Sequence, residues 1–313
     1  MSISKSRWLT KAKAIFRPSP EIRANEIVLP RPPIQEAQRQ NRGAKSENHV
    51  CVIAIIKNET AYIKEWIDFH LAEGVVHFFL YDNDSSDEPR TTLEPYIDAN
   101  IATLIKWNNF AAGLSVQNLA YAHAIMNFAS EFEWAAFIDV DEFLFGDEYR
   151  TVAEALDLFD DYSALRIKRY TFGPSGHVTR PESPVIRSYT RRIPDGFPDS
   201  SVKSIVRPRC VTKALVHAPT VTGNEFSYVK NSGGTNMPDL RINHYYTKSA
   251  AEFEEKFSRG WLLRKVNLAS LAQKKRELYK FSDFSHFDDR IIEISQIREH
   301  RAQVSGSRHH RSS

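Results

Sequence analysis

The stretch HVCVIAIIKNE, residues 49–59, most constrains what this chain can fold into. Val50 to Ile56 are continuously apolar and mostly β-branched, with no polar residue on alternate positions. Such a run suits a strand covered on both faces, as in a parallel sheet. TAYIKEWIDFHLAEG follows, with Ile63, Trp66, Ile67, His70 and Leu71 at helical spacing and Gly74 as a C-terminal cap. The alternation then repeats: VVHFFLYDN as strand, TTLEPYIDA as short helix, NIATLIKW as strand, SVQNLAYAHAIMNFASEF as a helix capped by Ser115, and WAAFIDVDEFLF as a fourth strand. Strands alternating with helices predict an α/β fold with a mostly parallel sheet and helices on both faces. No internal repeat lies beneath that alternation.

Beyond residue 147 the pattern loosens. YSALRIKRYTFG, VIRSYTRRI and VKSIVRPRCVTKALVHAP read as strands between Pro- and Gly-rich loops. SAAEFEEKFSRGW opens a helix with Ser249 and Glu252 as a capping box and Phe253, Phe257 and Trp261 on one face. Four segments result: a basic, flexible 1–48, an α/β half over 49–147, a mixed half over 148–299, and a disordered 300–313.

Residues 1–48 carry ten Lys or Arg against four Glu, although the whole chain is only +3. A balance so near neutral, with scattered basic residues and no recognition-helix or zinc signature, argues against nucleic acid as the partner. MSISKSRWLTKAKAIF has no continuous apolar core, so it does not read as a secretory signal. It is either a solvated terminus or a short basic helix resting on a membrane surface. No stretch approaches the roughly 20 apolar residues of a membrane span. The expected location is cytoplasmic, with peripheral contact at the inner membrane face. Cys51 and Cys210 sit in apolar or β-like contexts and are read as small buried thiols.

In open α/β sheets ligands bind outside the carboxyl ends of the strands. Those ends supply Lys57, Asn58 and Glu59, then Asp82, Asn83 and Asp84, then Trp107 and Asn108, then Asp139 and Asp141. The last pair lies in FIDVDEFLF, where Asp139, Asp141 and Glu142 crowd into a run otherwise suited to burial. Crowded carboxylates need a counter-charge. On extended backbone Asp139 and Asp141 point the same way, while a bend would part them. Hard oxygen ligands select Mn2+ or Mg2+, with phosphate oxygens completing the shell. The bland alternative is a solvated acidic turn with Glu142 exposed.

KNETAYIKEWIDFHLAEGVVHFFLYDNDSSD, QNLAYAHAI and WAAFIDVDEFLF, continued by VKSIVRPRCVTKALVH and INHYYTKSAAEFEEKFSRGW, resemble glycosyltransferase family 2-like and family 92 sequences over roughly residues 49–265. The resemblance implies a GT-A fold and transfer of a sugar, with inversion, from a nucleotide donor whose diphosphate binds a divalent metal. It favours a UDP-sugar donor and a glycan, lipid-linked or protein acceptor, as in polysaccharide biosynthesis. Asn58, Glu59 and Asp82 match the nucleotide pocket, with Lys57 and Asn83 beside them. Asp139 and Asp141 match the D-x-D, Asp141 favoured on the metal and Asp139 on ribose or sugar. His217 or His244 would complete the metal shell. Lys203, Arg207, Lys248, Lys256 and Arg259 are candidate phosphate contacts, with Lys248 and Arg259 preferred because they flank the capped helix. Asp195, Asp199 and Glu225 are candidates for the base that deprotonates the acceptor hydroxyl. A metal-dependent nucleotidyl or phosphoryl transferase is the second enzyme reading, although no P-loop appears. A non-catalytic sugar-binding module is the third.

Overall fold

The structure is a computed structural model that describes residues 27–29, 49–108, 115–147, 149–193, 202–228, 237–258 and 286–287. In chain order its strands are β1 (Ile27–Val28), β2 (Val50–Ile56), β3 (His77–Asp82), β4 (Ala102–Lys106), β5 (Trp134–Phe137), β6 (Glu142–Phe145), β7 (Ala164–Thr171), β8 (Arg191–Arg192), β9 (Val202–Val206), β10 (Val211–Ala214), β11 (Thr220–Val221), β12 (Glu225–Ser227), β13 (Arg241–His244) and β14 (His286–Phe287). The helices are α1 (Thr60–Ala72), α2 (Pro89–Asp98), α3 (Val116–Asn127), α4 (Val152–Leu156), α5 (Val185–Ser188) and α6 (Ala250–Ser258). Two compact units divide the chain, a larger one of residues 18–168 and 201–242 and a smaller one of residues 1–17, 169–200 and 243–313.

In the larger unit the apolar runs pair as their composition requires. β2 lies between β3 and β5, and β4 flanks β3, all parallel, with Ile53 opposite both Phe79 and Phe137. β9 then pairs antiparallel with β5 and with β7, and β12 adds parallel to β7. β2 is buried apart from half-buried Ile55, and β3 is buried throughout. Alternate side chains serve opposite faces of the sheet. On one face Trp66 of α1 meets Phe78, with ring centroids 5.5 Å apart. On the other, Tyr121 of α3 stacks on Phe137 at 4.5 Å, within a core that includes Cys51, Ile53, Phe79 and Tyr81. Helices on both faces of a mostly parallel sheet are thus confirmed. Gly74 ends α1 at φ +86°, and a Cβ there would meet the Ala153 Cβ at 2.5 Å, so glycine permits both the turn and the approach of α4.

Three expectations change in this unit. WAAFIDVDEFLF is two strands, because the chain turns at Asp139–Glu142 instead of running straight. Part of the amino-terminal segment read as flexible is docked: Ile27 and Val28 pair with Ala214 and Lys213 of β10, and Leu29 enters the apolar core. Apolar side chains repay the ordering that polar neighbours cannot. Cys51 is buried as expected, whereas Cys210 is half-buried, and both are free thiols.

In the smaller unit the capping box forms. Glu252 Oε2 accepts from the Ser249 amide (3.1 Å), the Ser249 hydroxyl (2.6 Å) and the Tyr189 hydroxyl (3.1 Å). Phe253 is buried, while the side chains of Phe257 and Trp261 lie outside the described residues. VIRSYTRRI is not one strand but α5 followed by the two residues of β8. Pro184 precedes that turn and supplies a fixed φ of −51° at its start. No helix among the described residues is long and apolar enough to cross a membrane.

Candidate functional site

The carboxyl ends of β2, β3 and β5 carry polar loops onto one rim, and the first two loops are tied together. The Asn58 amide donates to Ser85 Oγ at 3.1 Å, and Asn58 Oδ1 accepts from the Ser86 amide at 2.7 Å. Thr60 opens α1 by donating its amide to Asp87 Oδ2 at 2.8 Å, so the helix is capped from the neighbouring loop. Asp82 Oδ1 accepts from the Ser85 amide at 3.0 Å and is buried. Asn58, Asp84 and Glu88 all hold a left-handed backbone, at φ 56°, 54° and 51°. Each such residue costs roughly 1–2 kcal/mol, and three at one rim mark a shape held by its surroundings. Lys57 is exposed, and Glu59 and Asn83 are half-buried at the same rim.

The acidic run is a β-turn. The Glu142 amide donates to the Asp139 carbonyl at 2.9 Å, and the Asp139 amide donates back to Glu142 Oε2 at 3.0 Å. The bend parts Asp139, at the first position, from Asp141, at the third. Glu142 is fully buried, which removes the reading of an exposed acidic turn.

The protein itself supplies a counter-charge. Lys203 of β9 is fully buried, and its Nζ lies 2.7 Å from Asp139 Oδ2 and 3.2 Å from Glu142 Oε2. The other Asp139 oxygen accepts from Gln117 Nε2 at 2.8 Å, and the same nitrogen donates to the Tyr121 hydroxyl at 2.8 Å. Burial pushes the Tyr121 hydroxyl pKa far up, so it stays protonated within this network. Lys203, a candidate phosphate contact by sequence, instead turns its ammonium to two carboxylates. Gln117 escaped notice, although its place two residues after the Ser115 cap and four before Tyr121 puts both on one side of α3.

The remaining candidates scatter. Arg207 donates Nε to the Tyr162 carbonyl at 3.0 Å and stacks 4.2 Å from the Trp134 ring. Trp134 begins β5 and Asp139 lies five residues on, about 16 Å along an extended strand. Arg207 therefore belongs to the opposite end of the sheet and is no phosphate contact. Glu225 gives both oxygens to Arg166, at 2.7 and 3.3 Å, and Arg166 also donates to the Pro219 carbonyl. The carboxylate thus helps hold the loop carrying His217, whose own carbonyl accepts from the Ser204 hydroxyl at 2.7 Å. In the smaller unit, the His244 carbonyl accepts from the Phe172 amide, Lys248 has φ 50° just before the capping box, and Lys256 Nζ donates to the Tyr246 carbonyl at 3.2 Å. No three His, Cys, Asp or Glu side chains gather as a metal cluster among the described residues. Asp195, Asp199 and Arg259 lie outside those residues.

The model of glycosyltransferase family 92 matches residues 47–275. A family 92 protein of Ricinus communis is 30% identical over 74% of this chain and 42% of its own length. A family 92 protein of Oryza sativa subsp. japonica is 30% identical over 70% of this chain and 37% of its own. The chain spans about two-fifths of the length of these curated relatives. Among solved structures, S. aureus TarS 1-349 is 18% identical over 51% of this chain and 47% of that one, with a TM-score of 0.33. With the family model spanning most of its length, this chain belongs to glycosyltransferase family 92.

Proposed function

We propose that this protein is a metal-dependent glycosyltransferase that moves a sugar, with inversion, from a nucleotide-diphosphate donor to a glycan, lipid-linked or protein acceptor. A UDP-sugar is the favoured donor, and Mn2+ or Mg2+ the favoured ion. The observation that carries the reading is the Asp139–Glu142 turn at the carboxyl end of β5, held by Lys203 and Gln117. Two carboxylates, Asp139 and Glu142, share the Lys203 ammonium there, and Asp141 adds a third acid to the same turn. A diphosphate approaching that turn is repelled unless a divalent cation comes with it.

The donor set fits such an ion. Mn2+ and Mg2+ ask for one or two carboxylates and take the rest of their shell from phosphate and water, so a cluster of three protein ligands is not required. Asp141, half-buried at the third turn position, is the residue to hold it. When bound, the ion would offset the charge that develops on the departing nucleoside diphosphate. The rest falls to the chain itself. Asp82, buried and pinned by the Ser85 amide, can accept from a nucleobase with its remaining lone pairs. The Asn58–Ser86 and Thr60–Asp87 ties keep that pocket shaped before the donor arrives. Asp199 or Asp195 is proposed as base toward the acceptor, since Glu225 is engaged by Arg166.

Thermal-shift screening of nucleotide-sugars with and without Mn2+ tests the reading. One donor should raise the melting temperature in the presence of Mn2+, and Asp141→Ala should remove that increment. Equal stabilisation of both proteins, or no dependence on Mn2+, refutes it.

A further inference from the structure

Helix α1 holds β6 through a row of buried side chains. Trp66 donates its indole Nε1 to the Glu142 carbonyl at 2.7 Å. His70 Nε2 accepts from the Leu144 amide at 3.0 Å, and Glu73 Oε2 accepts from the Gly146 and Val152 amides, each at 3.1 Å. All three side chains are fully buried. Residues 66, 70 and 73 share one face of the helix, and the backbone groups of residues 142, 144 and 146 point to one edge of the strand. From 66 to 73 a helix advances about 10.5 Å and from 142 to 146 a strand about 13 Å, so the two periods run nearly in step. Among the described residues β6 ends the strand order of its sheet, and α1 supplies partners where no further strand does.

His70 is fixed from both sides. Its Nδ1 lies 2.7 Å from the Trp66 carbonyl, which can only accept, and its Nε2 faces an amide, which can only donate. Both bonds form together only in the neutral ring that carries its proton on Nδ1.

We propose that α1 is the template on which the donor site is assembled, with Trp66 and His70 as positioning residues that set the Asp139–Glu142 turn at its distance from the loop after β3. The proposal rests on the donor reading above and adds the element that fixes its spacing. At its first residue the helix is tied to that loop, where the Thr60 amide meets Asp87 at 2.8 Å. Thr60 and Trp66 are about 9 Å apart along the axis. Glu142, which takes the Trp66 bond on its carbonyl, closes the turn with its own amide and holds the Asp139 amide with Oε2. One helix thus carries the nucleobase side and the diphosphate side of the proposed donor site. A donor reaching both meets them already spaced, without the cost of ordering them.

The test compares uridine with uridine diphosphate, Mg2+ present throughout, in NMR titrations of the full chain. Trp66→Phe keeps an aromatic ring and loses the indole donor. It should weaken uridine diphosphate about tenfold, the scale of one lost hydrogen bond, and leave uridine within about threefold. His70→Leu should show the same split. His70→Gln, whose side-chain oxygen can accept from the Leu144 amide, should restore most of the diphosphate affinity. Equal losses for both ligands, no loss in a folded variant, or a glutamine no better than leucine overturns the positioning role and leaves the donor reading standing. Spectra of the unaltered chain cover the case in which the variants fail to fold. There His70 should carry its proton on Nδ1, and the Leu144 amide and Trp66 indole signals should shift with uridine diphosphate but not with uridine. A proton on Nε2, or signals indifferent to the diphosphate, overturns the proposal. Failure of the unaltered chain to bind uridine diphosphate overturns the donor reading, and this proposal with it.

Discussion

The two ends of β5 carry cations from the same few residues and use them differently. At the amino end Arg207, one residue beyond β9, stacks on Trp134, donates to the Tyr162 carbonyl and lies 3.7 Å from Asp160. At the carboxyl end Lys203, within β9, meets Asp139 and Glu142 next to Asp141. The arginine site is closed, since a planar guanidinium shares itself among a ring, a carbonyl and one half-exposed acid. At the lysine site one buried ammonium is shared by two carboxylates. The arginine ties loop to sheet, whereas the lysine fixes the acidic turn at the rim.

That contrast breaks or sharpens under substitution. Lys203→Met leaves Glu142 buried without its ammonium and should cost about 3–5 kcal/mol of unfolding free energy by urea denaturation. A loss below about 1 kcal/mol would mean that the acid finds other compensation. Asp141→Asn should lower Mn2+-dependent sugar transfer about 100-fold with little change in the melting temperature. If activity and stability fall together, the residue is structural and the two ends of the strand are alike. Arg207→Ala should cost about 1–2 kcal/mol through its lost stacking and hydrogen bond, with donor affinity, read by calorimetry, unchanged. A marked fall in donor affinity would bring Arg207 back to the rim.

The smallest effect concerns pH at the amino end of β3. His77 donates Nδ1 to the Asn100 carbonyl and accepts at Nε2 from Thr103, and burial lowers its pKa from 6.5. The unfolded chain therefore takes up the proton more readily, so this histidine erodes stability as pH falls through 6.5 toward its lower folded value. His77→Gln should flatten that part of the stability–pH curve, and an unaltered slope would assign the acid sensitivity elsewhere. His123, whose pKa burial also lowers, is the first alternative.

Much of the fold is legible in the amino-acid order, for local reasons. β2 is apolar along its whole length and β3 through Phe78–Tyr81, and such runs suit the inside of a parallel sheet. Ser115 and Ser249 cap their helices because a hydroxyl reaches an amide two or three residues on, an interaction written into adjacent positions. The polar strand ends follow from the same alternation, which places Asp82, Asn58 and Asp139 at the carboxyl ends of their strands. The break within FIDVDEFLF was less visible, since its apolar residues fit one long strand as well as two short ones. Arg207 was misplaced because a basic residue beside Pro looks the same at either end of a sheet.

The sequence by itself determined the strand–helix alternation, the apolar layers and the existence of an acidic rim, all set by contacts among near neighbours. Which cation answers which acid was decided by tertiary structure, because Lys203 and Asp139 are 64 residues apart and meet only when β9 pairs with β5. Charge compensation acts through space at a few ångströms, and chain separation carries no record of it.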